Sequence, residues 1–136
     1  MNDTLITKFG TYLKSYGWEF SQHTQDELLV RFEGENSQTE FHLIIGSDEN
    51  WVSMTIWPFL FPFPIEKKTD ALELLCKRNF QLRLVRLGMT ENGETTLCLD
   101  LPVEGLTENG FHVALDVITY YADILYPDFV TFWSKE

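Results

Sequence analysis

Leu5, Phe9, Tyr12, Leu13 and Tyr16 recur at the spacing of one helix face. They predict a helix over 3–17, capped by Asn2 or Asp3, with Gly17 where glycine commonly ends a helix. Gly10 sits mid-helix, where glycine costs about 1 kcal/mol relative to alanine. The apolar period then shortens to about two residues, the repeat of a strand. A short strand is predicted over 18–23. A second, over 27–33, puts Leu28, Val30 and Phe32 on one side, and a third, over 39–47, puts Phe41, Leu43 and Ile45 there. A fourth, over 51–57, sets Val52, Met54 and Ile56 against Trp51, Ser53, Thr55 and Trp57. Gly34-Glu35-Asn36-Ser37 and Asp48-Glu49-Asn50 supply turns between them.

Pro58, Pro62 and Pro64 then break the pattern, because proline donates nothing to a sheet ladder. Pro64 is suited to precede a helix over 65–78, with Ile65, Leu72, Leu75 and Cys76 inward and Asn79 at a left-handed stop. A strand over 80–89, the turn Glu91-Asn92-Gly93-Glu94 and a returning strand over 95–101 follow. Thr107 caps a last helix reaching about Leu125, where Tyr126-Pro127 ends it and leaves an aromatic tail as a short extra element. Short connections of this kind imply an antiparallel meander and a separate hairpin. The fold class is α+β: an antiparallel sheet, four-strand meander plus hairpin, packed against three helices in one domain over 1–136.

The last helix has too little polar surface for a helix lying on a sheet. Phe111, Ala114, Leu115, Ile118, Tyr121, Ala122 and Leu125 form one apolar face. Val113, Val117, Tyr120 and Ile124 form a second stripe, leaving His112, Asp116, Thr119 and Asp123 as a narrow polar strip. Something must cover the second stripe: the aromatic tail from Phe129 to Trp133 folding back, a second subunit or partner, or a cofactor. Val113, Val117, Tyr120 and Ile124 are accordingly the candidate self-association residues, consistent with a homodimer.

Charge narrows the partners. The chain has 136 residues with 21 Asp plus Glu against 10 Lys plus Arg, net −11. Such a surface repels phosphate backbones and anionic lipid heads, which disfavours nucleic acid and membranes as partners. Cys76 and Cys98 read as buried free thiols, because free cysteine commonly packs as a small hydrophobe. Met1-Asn2-Asp3-Thr4 lacks the features of a signal peptide, and no apolar run is long enough to span a bilayer, so a cytoplasmic protein is expected.

No catalytic or metal constellation assembles from the sequence, and no cofactor is predicted. His23, His42 and His112 lack ligand spacing, and Asp48-Glu49-Asn50 is not followed by the glycine and glutamate of a calcium loop. There is no GxSxG motif and no glycine-rich phosphate loop, and Cys76 and Cys98 sit in packing patterns. Asn79 reads as a helix cap or a functional amide. Arg31, Arg83 and Arg86 read as strand residues whose stems cover apolar surface, or as holders of a carboxylate. Trp51 and Trp57, with Phe59, Phe61 and Phe63 of the proline-stiffened run, form either a connector tucked under helices or an aromatic rim for an extended protein client.

The leucine-rich helix Ala71-Leu72-Glu73-Leu74-Leu75-Cys76 leading to Asn79-Phe80, the Glu91-Asn92-Gly93-Glu94 turn, Val103-Glu104-Gly105-Leu106-Thr107 and the stretch 116–128 resemble the YbjN family. These are bacterial proteins described as sensory transduction regulators, with a fold like that of type III secretion chaperones. The likeness covers most of 27–128 and rests on packing and turn patterns. Gly110, the long Pro-Phe run and the aromatic tail depart from the family's pattern. The resemblance implies a commonly dimeric, non-enzymatic protein that holds segments of protein partners. The expected function is a protein–protein interaction module, chaperone-like or a regulatory adaptor. The alternative is a small-molecule sensor with a pocket between the last helix and the sheet.

Overall fold

The computed structural model describes residues 2–60 and 63–134, with side chains for 5–60 and 63–132. The capping side chains expected of Asn2 and Asp3, and also Phe61, Pro62 and the Trp133 side chain, lie outside what is described. The elements are α1 (Asn2–Tyr16), β1 (Ser21–Thr24), β2 (Glu27–Glu33), β3 (Glu40–Ser47), β4 (Trp51–Leu60), a 3-10 turn (Ile65–Lys67), α2 (Lys68–Gln81), β5 (Arg86–Met89), β6 (Thr95–Pro102) and α3 (Glu108–Ser134). The strands form one antiparallel sheet in the order β1-β2-β3-β4-β6-β5. The second strand of the hairpin thus returns beside β4, and β5 becomes an edge.

The alternation read from the sequence sets the register. Leu28, Ile45, Met54 and Leu99 pair directly across four strands, and Val30, Leu43, Ile56, Leu97 and Leu87 across five. Both rows are buried. α1 packs on β2, β3 and α3, α3 crosses β4 and β6, and α2 lies against β5. Phe9, Leu13, Phe111, Leu115, Ile118 and Phe129 seal the layer between helices and sheet, each fully buried.

α1 ends as expected. Gly17 has φ +95°, its N–H bonds to the Lys14 carbonyl, and the Trp18 N–H reaches back to Leu13 at 3.0 Å. That pair of bonds holds Trp18 in the helix cap, where its ring stacks on Phe32 with centroids 5.6 Å apart. The strand expected from residue 18 therefore begins only at Ser21.

Asn79 does not stop α2. The helix runs on to Gln81, and the Asn79 amide turns to the outer edge of β5, donating to the Leu87 carbonyl at 3.0 Å and accepting from the Leu87 N–H at 2.6 Å. The predicted strand over 80–89 is correspondingly reduced to four residues. The inward face of α2 is Ala71 and Leu75; Ile65 is 84% exposed, and Leu72 and Cys76 are also exposed. Cys76 is thus not the buried thiol expected, whereas Cys98 is half-buried, and burial pushes its thiol pKa up.

The helix predicted to end at Pro127 continues to Ser134. Proline removes one helical N–H, but the buried series Ile118, Ala122, Leu125, Phe129 keeps its spacing straight through it. Lys67 Nζ donates to the Phe132 carbonyl at 3.1 Å, and Arg78 faces Asp128 at 3.9 Å. Residues 126–134 are therefore bound toward α2 as more helix and do not fold back over the second stripe.

Candidate functional site

The polar strip of α3 is hydrogen-bonded to α1 and to the β2–β3 turn. His112 Nε2 lies 2.9 Å from the Tyr12 carbonyl and 3.1 Å from Ser15 Oγ. The Tyr16 hydroxyl donates a hydrogen bond to Asp116. Burial, then the bond to Asp116 and its charge, push the Tyr16 phenol well above its ordinary pKa. At the far end of the strip, Asp123 accepts the backbone N–H groups of Asn36 at 2.9 Å and Ser37 at 2.7 Å. Burial works to raise the Asp123 carboxyl, but the Ser37 and Asn36 N–H donors and the Ser37 hydroxyl together hold it below the ordinary carboxylate value. Gly34 makes this approach possible, because a Cβ there would overlap the Asp123 carboxylate and the Ser37 hydroxyl.

With the strip engaged by α1 and the β2–β3 turn, the second apolar stripe points outward. Val113 is 48% exposed, Tyr120 60% and Ile124 37%, while Val117 is half-buried. Leu84, itself half-exposed, lines a shallow depression with Val117, Tyr120 and Tyr121; Arg83 and Asp116 also line it. Leu84 adopts φ +69°, and the Val85 N–H bonds to the Arg83 carbonyl at 2.7 Å around it. This tight turn puts Val85 in the core and Leu84 outside. The sequence reading missed Leu84, since 80–89 resembles an unbroken strand; the absence of glycine concealed the turn.

The other apolar surface is on the opposite face of the sheet, which no helix covers. Trp51 and Trp57 are 50% and 43% exposed there. Six residues apart on one strand, they are separated by about 20 Å. Ser53 and Asp100 lie beside Trp51, where Asp48 accepts the Asn50 and Trp51 N–H groups at 2.8 Å. Trp57 shares a trough with His23, Glu27, Ile44, Thr55, Thr90 and Thr96. Of the remaining rim residues, Phe59 departs from the prediction. Phe59 is buried in the core against Phe41 and Tyr126, because the β4 register shifts between Ile56 and Leu60 and turns the ring inward. Phe63 is half-buried and in contact with neighbours, and Phe61 lies outside the described residues.

Among the described residues no group of three or more His, Cys, Asp or Glu could hold a metal ion, and no helix is long and apolar enough to cross a membrane. Of the arginines, Arg86 pairs with Asp100 at 2.8 Å on the open sheet face, while Arg31 and Arg83 line surface grooves.

Residues 9–130 match the YbjN family model, described as "Putative bacterial sensory transduction regulator". No curated protein sequence matches the chain. Among solved structures, YbjN from E. coli aligns at 15% identity with a TM-score of 0.67, covering 90% of this chain and 89% of that one. A chain of the heterodimeric ExoU–SpcU complex from the type III secretion system of Pseudomonas aeruginosa aligns at 13% identity with a TM-score of 0.59, covering 86% and 93%. At such identities the likeness is one of fold, and the family match carries the assignment: the chain belongs to the YbjN family.

Proposed function

We propose that this chain is a non-enzymatic protein–protein interaction module of a bacterial cytoplasm, working as a chaperone-like or regulatory adaptor. The observation that carries this reading is the orientation of α3: Asp116 and Asp123 are hydrogen-bonded to α1 and the β2–β3 turn, while Val113, Tyr120 and Ile124 are exposed and Val117 is half-buried between them. Apolar surface gathered on one helix face is a feature of association sites. In this reading the stripe serves self-association, and the open sheet face around Trp51 and Trp57 receives a protein client. The family's description as a regulator fits, as does the occurrence of a similar fold in a heterodimeric protein complex. The α3–sheet layer is filled by Leu115, Ile118, Ala122 and Phe129, which favours this reading over a sensor with a ligand pocket there.

Capture of tagged wild type and a Trp51→Ala/Trp57→Ala variant from native-host lysate, with mass spectrometry, tests the client surface. A stoichiometric protein held by wild type and lost from the variant is expected. A small molecule that co-purifies with both, with no protein partner, would overturn the adaptor reading.

A further inference from the structure

The outward residues of α3 are spaced 4, 3, 4 along the helix: Val113, Val117, Tyr120, Ile124. This is the alternation of a heptad seam. It reads the same from either end, about a midpoint between Ile118 and Thr119. A ridge with that symmetry is complementary to itself when turned end for end. Val113 then meets Ile124 of a second copy, and Val117 meets its Tyr120.

We propose that α3 pairs antiparallel with α3 of a second copy across a two-fold axis, with Leu84 flanking the seam. The proposal rests on the self-association reading above and specifies its geometry. Three observations support it. The first is area. From the fractional exposures, the stripe and Leu84 offer on the order of 400 Å² of apolar surface, against about 800 Å² per partner in a standard interface. Homodimer interfaces are about 65% apolar, so the ridge supplies most of what such a contact needs.

The second is charge. All four seam positions are uncharged, so two copies at net −11 can meet along the seam without setting like charges against each other within it. The third is Leu84. A non-glycine residue at positive φ around a two-residue hydrogen bond is a rare and strained turn. Here it holds a leucine in solvent beside Val117 and Tyr120.

The test uses Val113→Cys and Ile124→Cys, both at surface positions, made separately in a Cys76→Ser/Cys98→Ser background with different tags. After mixing and mild oxidation, cross-linking between the two variants is expected to exceed that of either alone by at least tenfold. Leu84→Gly is expected to weaken association at least tenfold while the helical circular dichroism signal is kept. Association of the wild type should hold or tighten between 0.05 and 0.5 M salt, roughly the range over which exposed charges become screened. A dimer in which each cysteine variant cross-links best to itself, or neither cross-links, would overturn the antiparallel seam and leave self-association standing. A wild type that sediments as a monomer at every concentration, or that uses this face only for a different protein, would overturn both.

Discussion

The hydroxyl of Tyr16 on α1 donates to the carboxylate of Asp116 on α3, and this contact ties the polar strip of α3 to α1. A surface helix ordinarily shows its charges to water and its apolar stripe to the core. In α3 the buried face of Phe111, Leu115, Ile118 and Ala122 is flanked on one side by the polar strip, bonded at His112, Asp116 and Asp123, and on the other by the apolar stripe, which has no such partners among the described residues.

Removing that hydroxyl should loosen the α1–α3 contact. Tyr16→Phe is expected to cost about 1–2 kcal/mol in urea denaturation at neutral pH, as for a hydrogen bond to a charged partner. The phenol pKa is raised in the folded state, so its contribution is fully present below the ordinary value of 10.0 and is lost as pH rises through the folded value. The variant should therefore show a shallower loss of stability on the alkaline side. An unchanged midpoint and alkaline slope would contradict the role given to this pair.

Asp123 predicts the opposite limb. Its folded pKa is depressed, so its stabilisation is present above the ordinary value of 3.8 and disappears as pH falls through the lower folded value. Asp123→Asn should flatten the acid side of the stability curve below about pH 5, where unfolded-state carboxylates begin to titrate. Gly34→Ala disrupts the same latch by steric overlap, and the two substitutions combined should cost clearly less than their sum. Strict additivity would separate the turn from α3.

Asn79 closes the outer edge of β5 with a two-point contact to Leu87. Asn79→Ala leaves both backbone groups of Leu87 without that partner and is expected to cost about 1–3 kcal/mol. Hydrogen exchange should speed up at the Leu87 amide more than at Leu97 on the neighbouring strand. Equal protection in wild type and variant would contradict the edge-capping role.

Thr95 is fully buried between Leu60 and Met89, and its hydroxyl has no hydrogen-bond partner among the described residues. Thr95→Val keeps the shape and removes the unsatisfied group, so a gain of about 1 kcal/mol in thermal or urea unfolding is expected. A loss of stability would mean that the hydroxyl is bonded in solution.

Much of the fold was legible because sheet alternation is local: Leu28, Val30, Leu43, Ile45, Met54 and Ile56 faced inward as read, and Gly17 ended α1. The misread positions depended on long-range partners. Asn79 is a cap by its neighbours in sequence but a strand-edge ligand by its neighbours in space. Pro127 signals a helix end, yet Leu125 and Phe129 already carried the core spacing past it. Phe59 looked like part of an exposed rim because a register shift cannot be seen in alternation alone. The surplus apolar stripe on the last helix was visible from the helical spacing of Val113, Val117, Tyr120 and Ile124. That it faces water depended on Tyr16, Ser15 and the Asn36-Ser37 turn, all distant in sequence.

The most direct test of the central claim, that the outer stripe of α3 is an association surface, is sedimentation velocity of wild type and Tyr120→Glu across a hundredfold range of concentration. The account predicts a dimer for the wild type and, for Tyr120→Glu, a monomer that keeps the helical circular dichroism of the fold, its melting temperature no longer dependent on concentration. A wild-type monomer throughout, or a Tyr120→Glu variant that remains dimeric, would contradict it.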